Sequence, residues 1–518
     1  MFLLLKLNVY IILALQIASV LTSSRGRQSE SSVLPEPGSD QKKGNDMYKK
    51  TCFIIAVLCL SLAAGVAAAA DRTGAVAPDG SVKDTVLSTI YYTPDIKAFQ
   101  EYRQAAVHDV SRARSGWLPR VDARAGWGVE QWSNLATRKP AHPQRGTDGQ
   151  NSKDFYERAE GSIVLQQTIW DGLATDSRYK IGVTRLDSAT ARLLDNSEAS
   201  VLDALLSHLE VYRQRRLLAL AELNVQNHKD ILGSQQERQR MGASSVADVT
   251  QTQSRLARAQ ATLVETRSAL EVAMSQYKRL VGKDPGELEA PYLPENPYPS
   301  LESVLSDSQT KNPKVKALQS DVETNKAQIK LDKSTFHPQI YLEVGPSYNW
   351  QVQGSQTYEW GTGVMLRATW NLFNGFYDYY NVKGDAARMR QSREQLNSQT
   401  VNLAQETAAT WSSLISAQEQ TKFFTVAVDN STQTRDAYLQ QFNVGQRSLL
   451  DVLDSENEVY SYSIQMVTSQ LNEIGAQYKL KALGGELLPS MGFDPSLLNV
   501  DTDDYARARD VYHVNLPH

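Results

Sequence analysis

The chain has 518 residues, of which 54 are lysine or arginine and 58 are aspartate or glutamate, so its formal net charge is −4. With 41% apolar and 8% aromatic residues it can bury a large core, and this composition excludes an intrinsically disordered chain and a polytopic helical membrane protein. The acidic balance also makes nucleic acid a poor partner.

The first predicted element is a secretory signal peptide. Residues 47–70 read MYKKTCFIIAVLCLSLAAGVAAAA, in which two lysines precede an apolar run and small residues. We interpret 1–46 as an upstream extension from a start codon assigned too early, so the first region covers 1–70. Both cysteines, Cys52 and Cys59, lie in the signal peptide. The mature chain is therefore predicted to contain no disulfide and no cysteine metal site.

The rest of the chain contains one structural unit twice. With an offset of 203 residues, several positions of the two halves align: Gly242 with Gly445, Ser245 with Ser448, Asp248 with Asp451, Leu280 with Leu483, and Gly282 with Gly485. We predict a first repeat over 71–282, a Pro-rich linker over 283–300, a second repeat over 301–485 and a C-terminal tail over 486–518. For the tail, packing and disorder both stay open.

Each repeat is predicted to run in the order helix, two strands, very long helix, turn, helix. The stretches 173–238 and 375–441 contain no proline, and at the rise of an α-helix each makes a rod of roughly 100 Å. The shorter helices predicted over 84–115 and 246–281 together match the length of one rod. Heptad spacing of apolar residues in the returning helices indicates coiled-coil packing.

The strands carry a membrane pattern. In RVDARAGWGVE, apolar side chains alternate with polar ones or glycine, and the segments 340–352 and 360–370 behave alike; FYERAEGSIVLQQTI is the weakest strand. Alternating apolar and polar residues with aromatic residues near the strand ends are typical of transmembrane β-barrels. Any single strand also fits an ordinary antiparallel sheet with one face exposed to solvent. Four strands cannot close a barrel in lipid, so several copies must pool them; the strand count allows two, three or four.

The two turn sequences, RMGASSVADVT and FNVGQRSLLDVLD, together with the duplication, resemble the TolC family of outer-membrane channels. The resemblance implies a mainly α fold with a membrane β-barrel portion: a homotrimer whose twelve-stranded barrel lies in outer-membrane lipid and continues as a twelve-helix tunnel into the periplasm of a Gram-negative bacterium. It also implies two partners, a periplasmic adaptor (membrane fusion protein) and an inner-membrane ABC exporter or RND pump, and no cofactor. The segment DVLDSENEVY favours type I protein secretion over small-molecule efflux, and both stay open.

The glycines of the turns stand where a long helix reverses into its return partner. Gly242 and Gly445 suit the left-handed backbone that such a helix end needs. With Ser245 and Ser448 they are predicted to form the periplasmic tip where the adaptor docks.

Two aspartates next to the second turn are candidate gate residues. Asp451 and Asp454 share one helix face, and in a trimer they would form two rings of carboxylates at the narrowest lumen, a filter that favours cations. The alternative is a solvated helix N-terminus, where aspartate is favoured in any case.

The resemblance also implies a polar latch between the turns, in which Arg447 contacts the Asp248 region. An exposed pair of this kind is worth about 1 kcal/mol per protomer. Phe442 and Ala247 stand where hydroxyl-bearing residues are expected, which weakens the latch.

Two other protein classes are alternatives to a channel. The seven histidines are scattered without metal-ligand spacing, and the chain has no nucleophile motif or phosphate loop, so neither an enzyme nor a metal site is predicted. A periplasmic coiled-coil adaptor or scaffold without membrane strands is the stronger rival.

Overall fold

The computed structural model describes residues 80–132, 155–294, 298–354, 358–494 and 498. The predicted signal peptide and extension, and most of the tail, lie outside these residues. Within the described part of the chain, no helix has an apolar stretch long enough to span a membrane.

The elements repeat in the same order in the two halves. The first half contains α1 (Val82–Tyr92), α2 (Pro94–Arg114), β1 (Arg120–Glu130), β2 (Tyr156–Trp170), α3 (Ala174–Arg240) and α4 (Val246–Val281). The second half contains α5 (Leu301–Thr310), α6 (Pro313–Lys333), β3 (Gln339–Trp350), β4 (Tyr358–Thr369), α7 (Tyr377–Asn443), α8 (Leu449–Leu483) and a short α9 (Leu487–Ser490).

The single helix predicted over 84–115 is wrong, because the structure has two helices there. Thr93 is extended, with φ −61° and ψ 120°, and Pro94 begins α2. Proline has no N–H to donate, and its ring disfavours the helical conformation of the residue before it. The second half breaks in the same way at Asn312, whose side chain caps α6 in front of Pro313.

The two long helices are present as predicted. Both α3 and α7 have 67 residues, which is a length of about 100 Å. Each starts after two residues in the left-handed region, Gly172 and Leu173 before α3, and Gly375 and Phe376 before α7. The same sharp turn therefore leads from sheet to helix in both halves.

Each long helix has different neighbours along its length. The first part of α3 packs against α2 and α6, for example through Tyr179 and Val110 and through the hydrogen bond from Thr324 to Thr184. Its later part packs against α4 and α8, where Tyr277 of α4 is fully buried. Helix α7 likewise packs first against α6 and then against α8. Side by side, the order is α2-α3-α6-α7 in one tier and α4-α3-α8-α7 in the other.

The four strands form one antiparallel sheet in the order β1-β2-β3-β4. Their register aligns the apolar alternation predicted from the sequence into rows across the sheet. One such row is Val121, Leu165, Val344 and Val364. The opposite face carries polar groups, including the ion pair between Arg367 and Glu343.

The main core lies where the two tiers meet. Apolar side chains of α1, α3 and α8 form its centre, and residues that follow α8 complete it: Leu487, Leu488, Met491 and Leu498. The beginning of the tail is thus packed, which decides between the two alternatives left open by the sequence for residues 487–494.

Candidate gate at the helix turns

The two turns have the same backbone construction. Gly242 and Gly445 have φ of +77° and +80°. Ser245 caps α4 by accepting a hydrogen bond from the N–H of Asp248, whose carboxylate accepts from the N–H of Ser245, both at 3.1 Å. Ser448 makes the same capping box at the start of α8. The predicted helix reversal is therefore built as expected, whereas a docking role for it stays a prediction.

The first aspartate of each turn is held in its charged form. The pKa of Asp248 is lowered by its hydrogen bonds from Ser245, and that of Asp451 by hydrogen bonds from Ser448 and by the nearby Arg447. Within one chain, Asp451 thus completes the capping box at the start of α8, which fits the alternative of a solvated helix N-terminus. The capping contact leaves the carboxylate charged, as a ring of three carboxylates requires.

Arg447 lies among residues of its own turn. Its guanidinium is 3.4 Å from the Asp451 carboxylate, donates to Gln441 at 3.2 Å and lies 4.2 Å from the centre of the Tyr438 ring. Within a single chain, the described residues do not bring Arg447 to Asp248. A contact with Asp248 of another copy stays a prediction.

A different arginine connects the two turns. Arg238, in the last turn of α3, donates to the carbonyl oxygens of Phe442 and Asn443 at 3.4–3.5 Å. Its guanidinium also lies 4.3 Å from the centre of the Phe442 ring, within the range of a cation–π interaction. The phenylalanine that was expected to weaken the latch therefore takes part in another link.

A second link joins α4 to α8. Arg255 Nη2 is 3.2 Å from the carboxylate of Asp454, the other predicted gate aspartate. The side chains are 30% and 57% exposed, so the pair is accessible to solvent. In this arrangement, each gate carboxylate has a cation beside it, Arg447 for Asp451 and Arg255 for Asp454.

A third link, around Glu456, is buried. Glu456 of α8 is 5% exposed, accepts a hydrogen bond from Asn227 of α3, and lies 3.6 Å from Arg435 of α7. Sequence reasoning missed all three links between the repeats because their partners are 199 to 229 residues apart and no single motif contains both partners of a link.

A line of buried polar side chains follows the same end of α3. Asn224, His228 and Gln235 are 8%, 5% and 2% exposed, and each has a polar atom that no described residue hydrogen-bonds. Burial lowers the pKa of His228, while Glu456 opposes this shift and Arg255 adds to it. Such groups favour hydration, so this part of the packing is weaker than the apolar core.

Metal ligation finds no support in this region. In the part of the chain that the structure describes, no three histidine, cysteine, aspartate or glutamate side chains come together in a way that could hold a metal ion.

The sequence profile of the outer membrane efflux protein family matches residues 90–283 and 304–486. The chain belongs to this family. Membership confirms the family resemblance, the outer-membrane location in a Gram-negative bacterium and the non-enzymatic class predicted from the sequence.

Relatives whose names indicate different roles match most of the chain. Outer membrane efflux protein BepC of Brucella suis biovar 1 is 23% identical over 392 residues, which cover 71% of this chain and 82% of BepC. Proteases secretion protein PrtF of Dickeya chrysanthemi is 22% identical over 400 residues, covering 74% of this chain and 84% of PrtF.

Solved channels share the fold. The Campylobacter jejuni outer membrane channel CmeC has a TM-score of 0.67 at 12% identity, over 83% of this chain and 88% of its own. The Neisseria gonorrhoeae outer membrane channel MtrE, solved in its open state, has a TM-score of 0.64 at 15% identity, over 82% and 96%. The mainly helical class with antiparallel strands is thereby confirmed.

Proposed function

We propose that the protein is the exit duct of a tripartite export system and works as a closed ring of three copies. The observation that carries the proposal is that, in the described part of the chain, the sheet and both helix tiers each end in two elements that have a neighbour on one side only. One edge belongs to the first repeat (β1, α2 and α4) and the other to the second (β4 and α7). Because the two edges of a copy differ from each other, they are suited to head-to-tail association, which forms a ring when the rotation from copy to copy closes.

The sheet gives the strongest reason for closure. Among the residues that the structure describes, the outer strands β1 and β4 each pair on one side only, which leaves a row of backbone groups without strand partners. In lipid such groups have no water to bind, so four strands must join those of other copies. Three copies supply twelve strands, which is within the range of membrane barrels.

Aromatic side chains near both ends of the sheet fit a membrane position. Trp127 and Trp360 lie towards the hairpin turns and are 76% and 67% exposed, whereas Trp170 and Trp370 lie at the helix side. From Trp360 in β4 to Trp370 just after it, ten residue steps span about 33 Å along the chain, close to the length of a tilted transmembrane strand. The strands thus match a barrel with two aromatic girdles.

The helical edges carry apolar side chains that water does not favour. On α4, Val264 and Val272 are 66% and 68% exposed, and on α7, Phe423 and Val426 are 66% and 56% exposed. Packing α7 of one copy on α4 of the next covers both sets. The proposed ring then continues from the sheet into a tunnel of twelve helices, as four helices of each tier come from every copy.

In this assembly, Asp451 and Asp454 are proposed to form the rings of the narrow tip, and Arg447 to reach Asp248 of a neighbouring copy. The turns with Gly242, Gly445, Ser245 and Ser448 are proposed to receive the periplasmic adaptor. An inner-membrane ABC exporter or RND pump is the proposed source of cargo. The relative named for protease secretion supports proteins as cargo, and the one named for efflux supports small molecules.

The test of the ring is a pair of substitutions at one exposed position. Native mass spectrometry of the detergent-purified mature protein is expected to show three copies, and planar bilayers are expected to show channels. Phe423→Asp should release monomers, because a charge at the covered helix edge loses its hydration, whereas Phe423→Leu should keep the trimer. A stable trimer with Phe423→Asp would remove this edge from the interface, and a water-soluble wild-type monomer would refute the duct.

The cargo is tested by deleting the gene and comparing secreted proteins with drug sensitivity. Loss of one secreted protein with unchanged sensitivity supports type I secretion. Hypersensitivity with unchanged secretion supports efflux.

A further inference from the structure

The carboxylate of Asp454 forms an ion pair in this structure, although its position beside the turn suits a pore filter. Arg255 Nη2 lies 3.2 Å from Asp454 Oδ1. The two residues belong to different helical hairpins, since Arg255 is on α4, the return helix of the first repeat, and Asp454 is on α8, the return helix of the second. The ion pair therefore spans the junction between hairpins.

The contacts within each hairpin differ from the contacts between the two hairpins. Within each hairpin, α4 packs along α3 and α8 packs along α7, and both contacts are more extensive than the contact between α3 and α8. Near the turns, by contrast, the identified links between the hairpins are polar. They comprise Arg238 with the carbonyls of the second turn, Glu456 with Asn227, and the Arg255–Asp454 pair. Any widening of a ring built from these hairpins must therefore separate the polar junction before it separates the hairpins themselves.

We propose that Arg255 masks the Asp454 carboxylate while the tip is closed, so that separation of the hairpins uncovers the charge and makes the open pore more selective for cations. This inference rests on the proposed function, because it requires Asp454 to line the pore. It assigns Arg255 as a selectivity-determining residue. The same charge that holds the hairpins together becomes the filter once they part.

The expected size follows from three uncovered charges. Three carboxylates at roughly 8 Å from the pore axis, acting through water with ordinary salt screening, raise the local cation concentration about threefold. The effect should shrink at high salt, where the screening length falls to about 3 Å.

The test measures the ratio of K⁺ to Cl⁻ permeability from reversal potentials of the full mature protein in planar bilayers. Arg255→Gln is expected to raise this ratio about threefold, by the same charge argument, while Arg255→Lys stays near wild type. Arg258→Gln is the matched control, because Arg258 is an exposed cation on the same helix. It removes the same charge without uncovering Asp454, so its effect should be much smaller.

The decisive comparison uses a second background. In Asp454→Asn, the added Arg255→Gln should change the ratio no more than Arg258→Gln does, because no carboxylate is left to uncover. An equal rise in both backgrounds, or equal effects of Arg255→Gln and Arg258→Gln in the wild type, would overturn the masking while leaving the channel intact. If the wild-type protein forms no channels, the proposed function fails and the masking fails with it.

Discussion

Replacing Glu456 by glutamine is expected to loosen the start of α8. The buried Glu456 carboxylate accepts from Asn227 and lies 3.6 Å from Arg435. Glutamine keeps the shape and an acceptor for Asn227, but it removes the charge that faces the guanidinium. Hydrogen bonds to charged groups contribute about 1.5–3 kcal/mol, and the lower end applies because Arg435 keeps Asp436 as a second partner at 2.7 Å. A loss of about 1.5 kcal/mol corresponds to roughly tenfold more frequent local opening.

Hydrogen exchange followed by mass spectrometry on the detergent-purified oligomer measures this opening directly. Peptides that cover residues 449–460 should exchange about tenfold faster in Glu456→Gln. Glu458→Gln is the matched control, since Glu458 is an exposed glutamate two positions along the same helix. Equal exchange in the two variants would show that the buried carboxylate does not hold α8 to its neighbours.

Three further changes test other parts of the fold and gate. Gly282→Ala should lower the temperature at which the oligomer dissociates more than Gly242→Ala does. Both glycines have positive φ, which costs alanine about 1–2 kcal/mol. A Cβ at Gly282 would also lie 2.4 Å from the Tyr92 ring, whereas a Cβ at Gly242 would meet open space. Burial lowers the pKa of His228. The stability that depends on neutral His228 is therefore complete above the ordinary pKa of 6.5 and is lost as the pH falls below that value. Thermal dissociation should become easier on acidification to about pH 5.5, and His228→Gln should weaken that pH dependence. Arg447→Glu should raise single-channel conductance by placing like charges beside Asp451, and unchanged conductance would remove Arg447 from the gate.

Local patterns in the sequence predict most of the secondary structure. Proline-free stretches predicted the long helices, heptad spacing predicted the returning helices, and period-two alternation predicted the four strands with their common apolar face. The break at Thr93 was missed although Pro94 is visible in the sequence, because the helical pattern around it was allowed to outweigh a residue that stops a helix. The error shows that a proline's position is the better guide to helix ends.

The links at the tip could not be predicted in the same way. The structure places Asp248 and Asp451 in capping boxes with Ser245 and Ser448. The two residues of such a box are only three positions apart, so a local sequence motif can reveal it. The partner of Asp454 is Arg255, which is fixed only by how two hairpins pack side by side. An i, i+3 rule contains no information about that packing, so the sequence identified the carboxylate and missed the cation next to it.

The two turns have the same backbone conformation but carry different charged side chains. Each repeat needs the shared backbone to reverse its helices, whereas the charged side chains differ between the repeats. At three aligned positions, a neutral residue of the first repeat corresponds to a charged one of the second: Ser244 to Arg447, Gln251 to Asp454, and Gln253 to Glu456. Each of these charges has a partner: Arg447 pairs with Asp451, Asp454 with Arg255, and Glu456 with Arg435. Because both repeats reverse their helices equally well, none of these charges is needed for the turn. The first repeat contributes Arg238 and Arg255 to the same junction, at positions where the second repeat has Gln441 and Glu458. Each repeat therefore adds charges that the other lacks, and breaking these polar contacts costs far less than unpacking a hairpin.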